Sequence, residues 1–332
     1  MPRRSPTWVE IVGYQIEKVH TGSLATLLEN PRTGPIVLHD LMALGRLKAE
    51  VVRGSVQREA HAQGGAPRTR VDLIATAEFR DGHQQQLAVE TKVDSNCEVS
   101  QLTKTAAPEV SCVLLAVGIT GLQWKGRALP GDWRLVDAQQ WLRILDRLGT
   151  LPEVLSVYRD AIAWEVHLQQ SARLEALGQL SDSDRRRMSR DTRWSRICDW
   201  AWLAEVRSHL RHGAQYGGKD EPRTGPVMYF GTSTRRLSNG VDIYLDLVVD
   251  GGVRKLVVKG DGGLPDDRIE TWESLGNDLQ ALQLSPGTRQ PRRRGEGNFR
   301  IATHVFASES SNPQDAAAVC DRTLRFLRAW NP

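Results

Sequence analysis

Asp72, Glu90 and Lys92 are the residues of this chain whose types and spacing point most directly to chemistry. Two carboxylates supply hard oxygen donors for a divalent cation, and the nearby amine can serve as a general base or neutralise developing charge. Glu90-Thr91-Lys92 alone is a weak signal, because Glu-x-Lys is common on solvated strands. Asp72 gives it meaning only if the backbone brings the two acids together.

The elements that must do this are two runs, RVDLIATAEF and HQQQLAVETKVD, which alternate apolar and polar residues as half-buried strands do. Arg80-Asp81-Gly82 lies between them. If these three residues form a type I turn with Gly82 in the left-handed position, Phe79 pairs with His83 and Asp72 falls level with Glu90. The same register sets Val71 against Thr91, Leu73 against Val89 and Ala75 against Leu87 as a continuous apolar face, with Lys92 on the other, polar face. A two-residue loop would put Glu90 across from Leu73 and mix charge into the apolar side. Packing and chemistry therefore select the three-residue turn.

Carboxylates about 5 Å apart at Cβ repel unless a positive charge lies between them. Oxygen donors without accompanying Cys or His favour Mg²⁺ or Mn²⁺. Such a site suits phosphodiester hydrolysis: the metal polarises the phosphoryl oxygen and lowers the pKa of a bound water, while Lys92 positions that water or neutralises charge.

The acid on one strand followed by Glu-x-Lys on the next resembles the PD-(D/E)xK nuclease superfamily. The text around it adds to the resemblance. QIEKVHTGSLATLLENP, residues 15 to 31, is similar to the first helix of a bacterial branch of that superfamily, with Glu17 as its acidic residue and His20 beside it. Gln101-Leu102 stands where this branch opens the helix after the Glu-x-Lys strand, although Thr105 replaces the Tyr often found four residues after that Gln. VSCVLLAVGI resembles the next, buried strand, and DWRLVDAQQWLRILDRL a strand and helix after it. The likeness covers residues 9 to 165. It implies a restriction-endonuclease-like core, a mixed sheet flanked by helices. It also implies Mg²⁺ or Mn²⁺ held by Asp72, Glu90, Glu17 and the Thr91 backbone carbonyl, with Gln101 and His20 toward nucleic acid.

Plainer roles stand beside these. Glu17 also fits as an exposed residue beside the apolar stripe of Val9, Val12, Ile16, Val19, Leu24, Leu27 and Leu28. His20 fits equally as a structural histidine, Gln101 as a helix-start residue, and Asp94 as an exposed strand-end carboxylate.

At 332 residues the chain is long for one domain. A polar, Arg-dense stretch suggests a nuclease-like domain over 1–170, a linker over 171–195 and a C-terminal α/β or α+β domain over 196–332. The net charge of +4 permits nucleic-acid binding. Arg185, Arg186 and Arg187 in the linker, and Arg292, Arg293 and Arg294 in a later loop, are candidate phosphate contacts, or else a solvated helix end and loop. Trp194, Trp200 and Trp202 fit core positions better than base-stacking ones. GDGGLPDD reads as a turn with helix-capping acids, lacking the lysine and hydroxyl of a P-loop. Four cysteines without CxxC spacing suggest a reducing compartment. No run approaches the roughly 18 apolar residues of a membrane span, so a cytoplasmic protein is expected.

The second half repeats the order helix, three strands, helix, strand. Aligning Val241-Asp242 with Val71-Asp72, and Val257-Val258-Lys259 with Glu90-Thr91-Lys92, would make it a degenerate nuclease-like copy. The expected function is a Mg²⁺-dependent DNA endonuclease, DNA being favoured over RNA, in restriction or antiviral defence. A homodimer, or an activating partner bound through the C-terminal domain, is expected with it. The alternative is a non-catalytic nucleic-acid-binding or regulatory protein on a nuclease scaffold, favoured if Glu17 or Asp72 faces away from Glu90 and Lys92.

Overall fold

The computed structural model describes residues 9, 12–42, 51–60, 71–95, 97, 99–105, 110–126, 128–211, 216–221, 225–230, 234–250, 252–291, 297–306 and 312–330. The chain divides at Leu168 into units 1–168 and 169–332.

In the first unit, α1 (Glu17–Glu29) and α2 (Gly34–Leu41) precede three antiparallel strands, β1 (Val51–Ala60), β2 (Val71–Phe79) and β3 (Gln84–Lys92). Helix α3 (Val99–Thr105) leads to β4 (Val110–Ala116), and α4 (Ile119–Trp124) to β5 (Trp133–Asp137); these two strands continue the sheet in parallel. The sheet is therefore mixed, in the order β1-β2-β3-β4-β5. Helix α5 (Ala138–Arg147) starts on a capping box in which Asp137 and Gln140 bond reciprocally. Helix α6 (Glu153–Ala176) contains the division between the units.

The β2–β3 hairpin takes the expected three-residue turn. Gly82 has φ +81°, its N–H donates to Phe79 O at 2.9 Å, and Phe79 N–H donates to His83 O at 2.9 Å. The ladder runs from Glu78↔Gln84 through Ala75↔Leu87 to Leu73↔Val89. One step further brings Asp72 level with Glu90.

The expected half-buried pattern holds toward the turn, where Thr76, Glu78, Gln84 and Gln86 stay partly exposed, whereas the far end of the hairpin is covered on both faces. Leu73, Ala75, Leu87 and Val89 join the α1, α2, α5 and α6 residues in one core, while Val71, Ile74, Ala88 and Leu114 pack with Leu102, Trp124 and Trp133 in a second. The cause is the parallel pair β4 and β5, whose connections place helices over the sheet and bury it from both sides. Val71 belongs to the second core rather than to the Leu73 face.

The second unit has a different architecture. Its strands are β6 (Tyr216–Glu221), β7 (Gly225–Phe230), β8 (Arg235–Arg236), β9 (Val241–Asp250), β10 (Val253–Gly262), β11 (Ser285–Pro286) and β12 (Phe299–Val305). They form one sheet, β11-β12-β10-β9-β7-β6 with β8 on β9, and every pairing among the described residues is antiparallel. Its helices are α7 (Asp182–Met188), α8 (Trp194–His209), α9 (Pro265–Asp278) and α10 (Pro313–Ala329). This is an α+β unit. The stretch 171–195, expected as a linker, is the end of α6, α7 and the start of α8. Trp194, Trp200 and Trp202 are buried core residues. The turn before α9 ends with Asp267 accepting the Leu264 N–H at 3.2 Å, a capping acid as expected.

Candidate functional site

The site lies where β3 ends. Because β3 and β4 run parallel, their carboxyl ends open together beside the start of β2, the kind of sheet edge where α/β folds bind ligands. Asp72 Oδ2 accepts the Thr91 N–H at 2.7 Å, which ties the head of β2 to β3 through a side chain where the described ladder stops. Thr91 itself is fully buried and paired with Leu115 of β4.

Lys92 Nζ lies 2.8 Å from Glu90 Oε1 and 3.2 Å from Glu17 Oε2. Glu17 arrives from the first turn of α1, whose Val19, Leu24, Leu27 and Leu28 are anchored in the first core. Gln101 arrives from α3, which is held by the buried Leu102 and by Trp133 Nε1 donating to Leu102 O at 2.9 Å. Its Nε2 donates to Glu90 Oε1 at 2.6 Å. Glu90 is 3 % exposed and the Glu17 side chain 33 %, so the cluster has a buried floor with Glu17 reaching toward solvent.

Burial, the largest influence on Glu90, raises its pKa; Lys92 opposes, and the Asp72 and Glu17 charges push the same way as burial. For Lys92, burial acts to lower the pKa but is outweighed by Glu90, with Glu17 and Asp72 adding, and the net shift is upward. The amine expected as a general base is thus an ammonium at neutral pH, suited to donating hydrogen bonds and balancing charge.

Whether the residues suit a divalent cation can be judged on donor type and charge. Asp72, Glu90 and Glu17 offer only oxygens. Against Lys92 they leave an uncompensated charge of about −2, the condition that favours a hard cation. Among the described residues no three His, Cys, Asp or Glu side chains converge as a metal group, and the Lys92 ammonium occupies the space between Glu17 and Glu90. The donor set fits; a common coordination point is not formed while Lys92 stands there.

Other expected residues fall elsewhere. His20 is fully buried, with Nδ1 3.1 Å from Tyr158 Oη and Nε2 2.7 Å from Tyr14 O. Trp141 Nε1 donates to the same phenol at 3.0 Å. His20 is a structural residue of the first core, out of reach of a phosphate. Asp94 Oδ1 accepts the Ile119 N–H at 3.0 Å, a structural role. Arg185 is held by both Glu175 oxygens, at 3.0 and 2.9 Å, and by Asp182 at 3.0 Å, and Arg186 Nε donates to Asp182 O at 3.2 Å. With Arg187 these lie on α7, where Arg185's charge is already balanced. Arg292, Arg293 and Arg294 lie outside the described residues.

The degenerate-copy alignment does not hold in the form expected. The β9–β10 ladder sets Asp242 opposite Asp261, not Val257, and β12 runs antiparallel to β10 where β4 runs parallel to β3. The residue opposite Val257 is Asp246, 4 % exposed, and Lys259 Nζ lies 2.6 Å from its Oδ2. The second sheet thus carries an Asp and a Lys at comparable register positions, with Val257 in place of the second acid.

Ser95 was missed from the sequence. Its hydroxyl donates to Glu17 Oε1 at 2.5 Å. No local pattern announces this, because the contact joins residues from two separate elements. The four cysteines are unbridged, and no described helix is long and apolar enough to cross a membrane. No family model, no curated protein and no solved structure matches this chain.

Proposed function

We propose that the chain is a metal-dependent nuclease hydrolysing phosphodiester bonds, with DNA as substrate and internal cleavage as its mode. The observation that carries this reading is the meeting of Glu17, Lys92, Glu90 and Gln101 at the carboxyl end of β3, with Asp72 level with Glu90. A Mg²⁺ or Mn²⁺ ion held by Asp72, Glu90 and Glu17, with the Thr91 carbonyl, would polarise the phosphoryl oxygen and lower the pKa of a bound water.

The chain's own residues supply the rest. Lys92 would orient the attacking water by hydrogen bonding, or neutralise charge developing on the phosphoryl group. Gln101 fixes the rotation of the Glu90 carboxylate. The burial of Glu90 and Lys92 limits competing bulk water and strengthens each of these interactions. A non-catalytic scaffold would be favoured by Glu17 or Asp72 facing away from Glu90 and Lys92; Glu17 instead bonds Lys92, and the Asp72 charge acts on both Glu90 and Lys92. A cytoplasmic role in restriction or antiviral defence suits this chemistry, with a second copy or an activator engaging the second unit.

The test incubates full-length protein with supercoiled plasmid, linear duplex, single-stranded DNA and RNA in Mg²⁺, Mn²⁺ or EDTA. Cleavage that requires metal, includes circular DNA and is lost in Asp72→Asn supports the reading. Metal-dependent cleavage untouched by that substitution overturns the site.

A further inference from the structure

Glu17 is the one carboxylate of the cluster that comes from a helix rather than the sheet, and a third of its side chain is in solvent. A glutamate so placed samples several rotamers unless something holds it. Lys92 Nζ takes Oε2 at 3.2 Å, and the Ser95 hydroxyl takes Oε1 at 2.5 Å. Both oxygens are thereby gripped from the end of β3.

Ser95 can do this because its own backbone is fixed from the other side. Its carbonyl accepts from Thr120 Oγ1 at 2.6 Å, and Val93 O accepts from Thr120 N at 2.9 Å. Asp94 Oδ1 takes the Ile119 N–H at 3.0 Å. Thr120 is fully buried. Gly118 packs so closely that a Cβ there would lie 2.6 Å from Val93 O and 2.5 Å from Asp94 Oδ1. Three hydrogen bonds and one close packing contact thus pin residues 93–95 to residues 118–120, and the pinned segment presents one exposed hydroxyl to one carboxylate.

We infer that Ser95 is a positioning residue, which holds the Glu17 carboxylate beside Lys92 and Glu90, where it would be at hand as a donor to a divalent cation. The inference rests on the metal-dependent reading of the site. Ser95 acts through Glu17, as residues behind metal ligands commonly do.

The experiment measures Mn²⁺ binding calorimetrically, without nucleic acid, on full-length wild type, Ser95→Ala, Ser95→Thr, Glu17→Gln and the Ser95→Ala/Glu17→Gln double variant. Thermal unfolding in EDTA checks that each is folded, and an exposed serine is an easy position to replace. The expected result is Mn²⁺ binding weakened about 10-fold in Ser95→Ala, recovered in Ser95→Thr, and no weaker in the double variant than in Glu17→Gln alone. Wild-type affinity in Ser95→Ala, equal losses in the Ala and Thr variants, or losses that simply add would each overturn the positioning role. If the wild type binds no Mn²⁺, the inference and the proposed function fall together. If it binds and cleaves while Ser95→Ala binds equally well, only the inference falls.

Discussion

Lys92 Nζ lies 2.8 Å from Glu90 Oε1, two residues back along the same strand, and both side chains are nearly buried. A single charge from such a pair, left behind without the other, is costly. Lys92→Met keeps the apolar stem and removes the charge, so in EDTA the unfolding free energy should fall by about 3 kcal/mol. Mn²⁺ should restore part of the loss, because a bound cation stabilises only the folded state. Urea titrations with and without Mn²⁺ check this; a stability in EDTA equal to wild type would contradict it.

Glu90 gives the site a pH dependence whose sign is fixed. Burial raises its folded pKa above the unfolded value, so the folded state holds the proton longer. Its contribution to stability is full below the unfolded pKa, about 4.3 for an ordinary glutamate, and is lost as pH rises through the folded value. The difference between wild-type and Glu90→Gln stability, followed by urea midpoint against pH in EDTA, should change across that window. A pH-independent difference between the two proteins would rule this out.

Tyr158 is fully buried between the His20 and Trp141 ring nitrogens. Trp141 donates to the phenol, so the arrangement assigns the phenol proton to His20 Nδ1 and the imidazole proton to Nε2, facing Tyr14 O. Tyr158→Phe removes that relay and should cost about 1–3 kcal/mol. Nucleic-acid affinity, measured where the variant is still folded, should keep its salt dependence. A changed salt slope would return His20 to the binding surface.

Arg185 offers a complementary test, since Glu175 and Asp182 already engage it. A guanidinium in use within the chain has little left for a phosphate. Arg185→Ala should leave the slope of log K against log salt unchanged, whereas loss of one true phosphate contact reduces it by about 1. Gel shifts over a salt series distinguish the two.

The parts of this site that were legible in the sequence are those set by neighbours along the chain. Phe79-Arg80-Asp81-Gly82-His83 defines its turn locally, and the turn fixes every pair of the hairpin down to Leu73↔Val89. The burial of both sheet faces was not legible, because it depends on β4 and β5 joining in parallel with their helices. Val51–Ala60 was not expected as a strand; VVRGSVQREA alternates poorly and owes its conformation to pairing with β2. Glu17 and Gln101 were suggested by family resemblance and not by spacing, and His20, drawn from the same helix, turned inward to Tyr158. Ser95 depends on α1 and α4 both reaching the end of β3, which no sequence window contains. In the second unit the strands were visible, but the partner of Lys259 was not: the ladder register, four residues away from the expected alignment, selects Asp246 over Asp242.

The most direct test of the account is the Mg²⁺-dependent nicking rate of supercoiled plasmid by wild type, Asp72→Asn and Lys92→Met, with each variant shown to be folded. Wild type should nick only with metal, and each variant should lose at least about 100-fold, the scale for removing a group that stabilises transition-state charge. Nicking at the wild-type rate in both variants would contradict it.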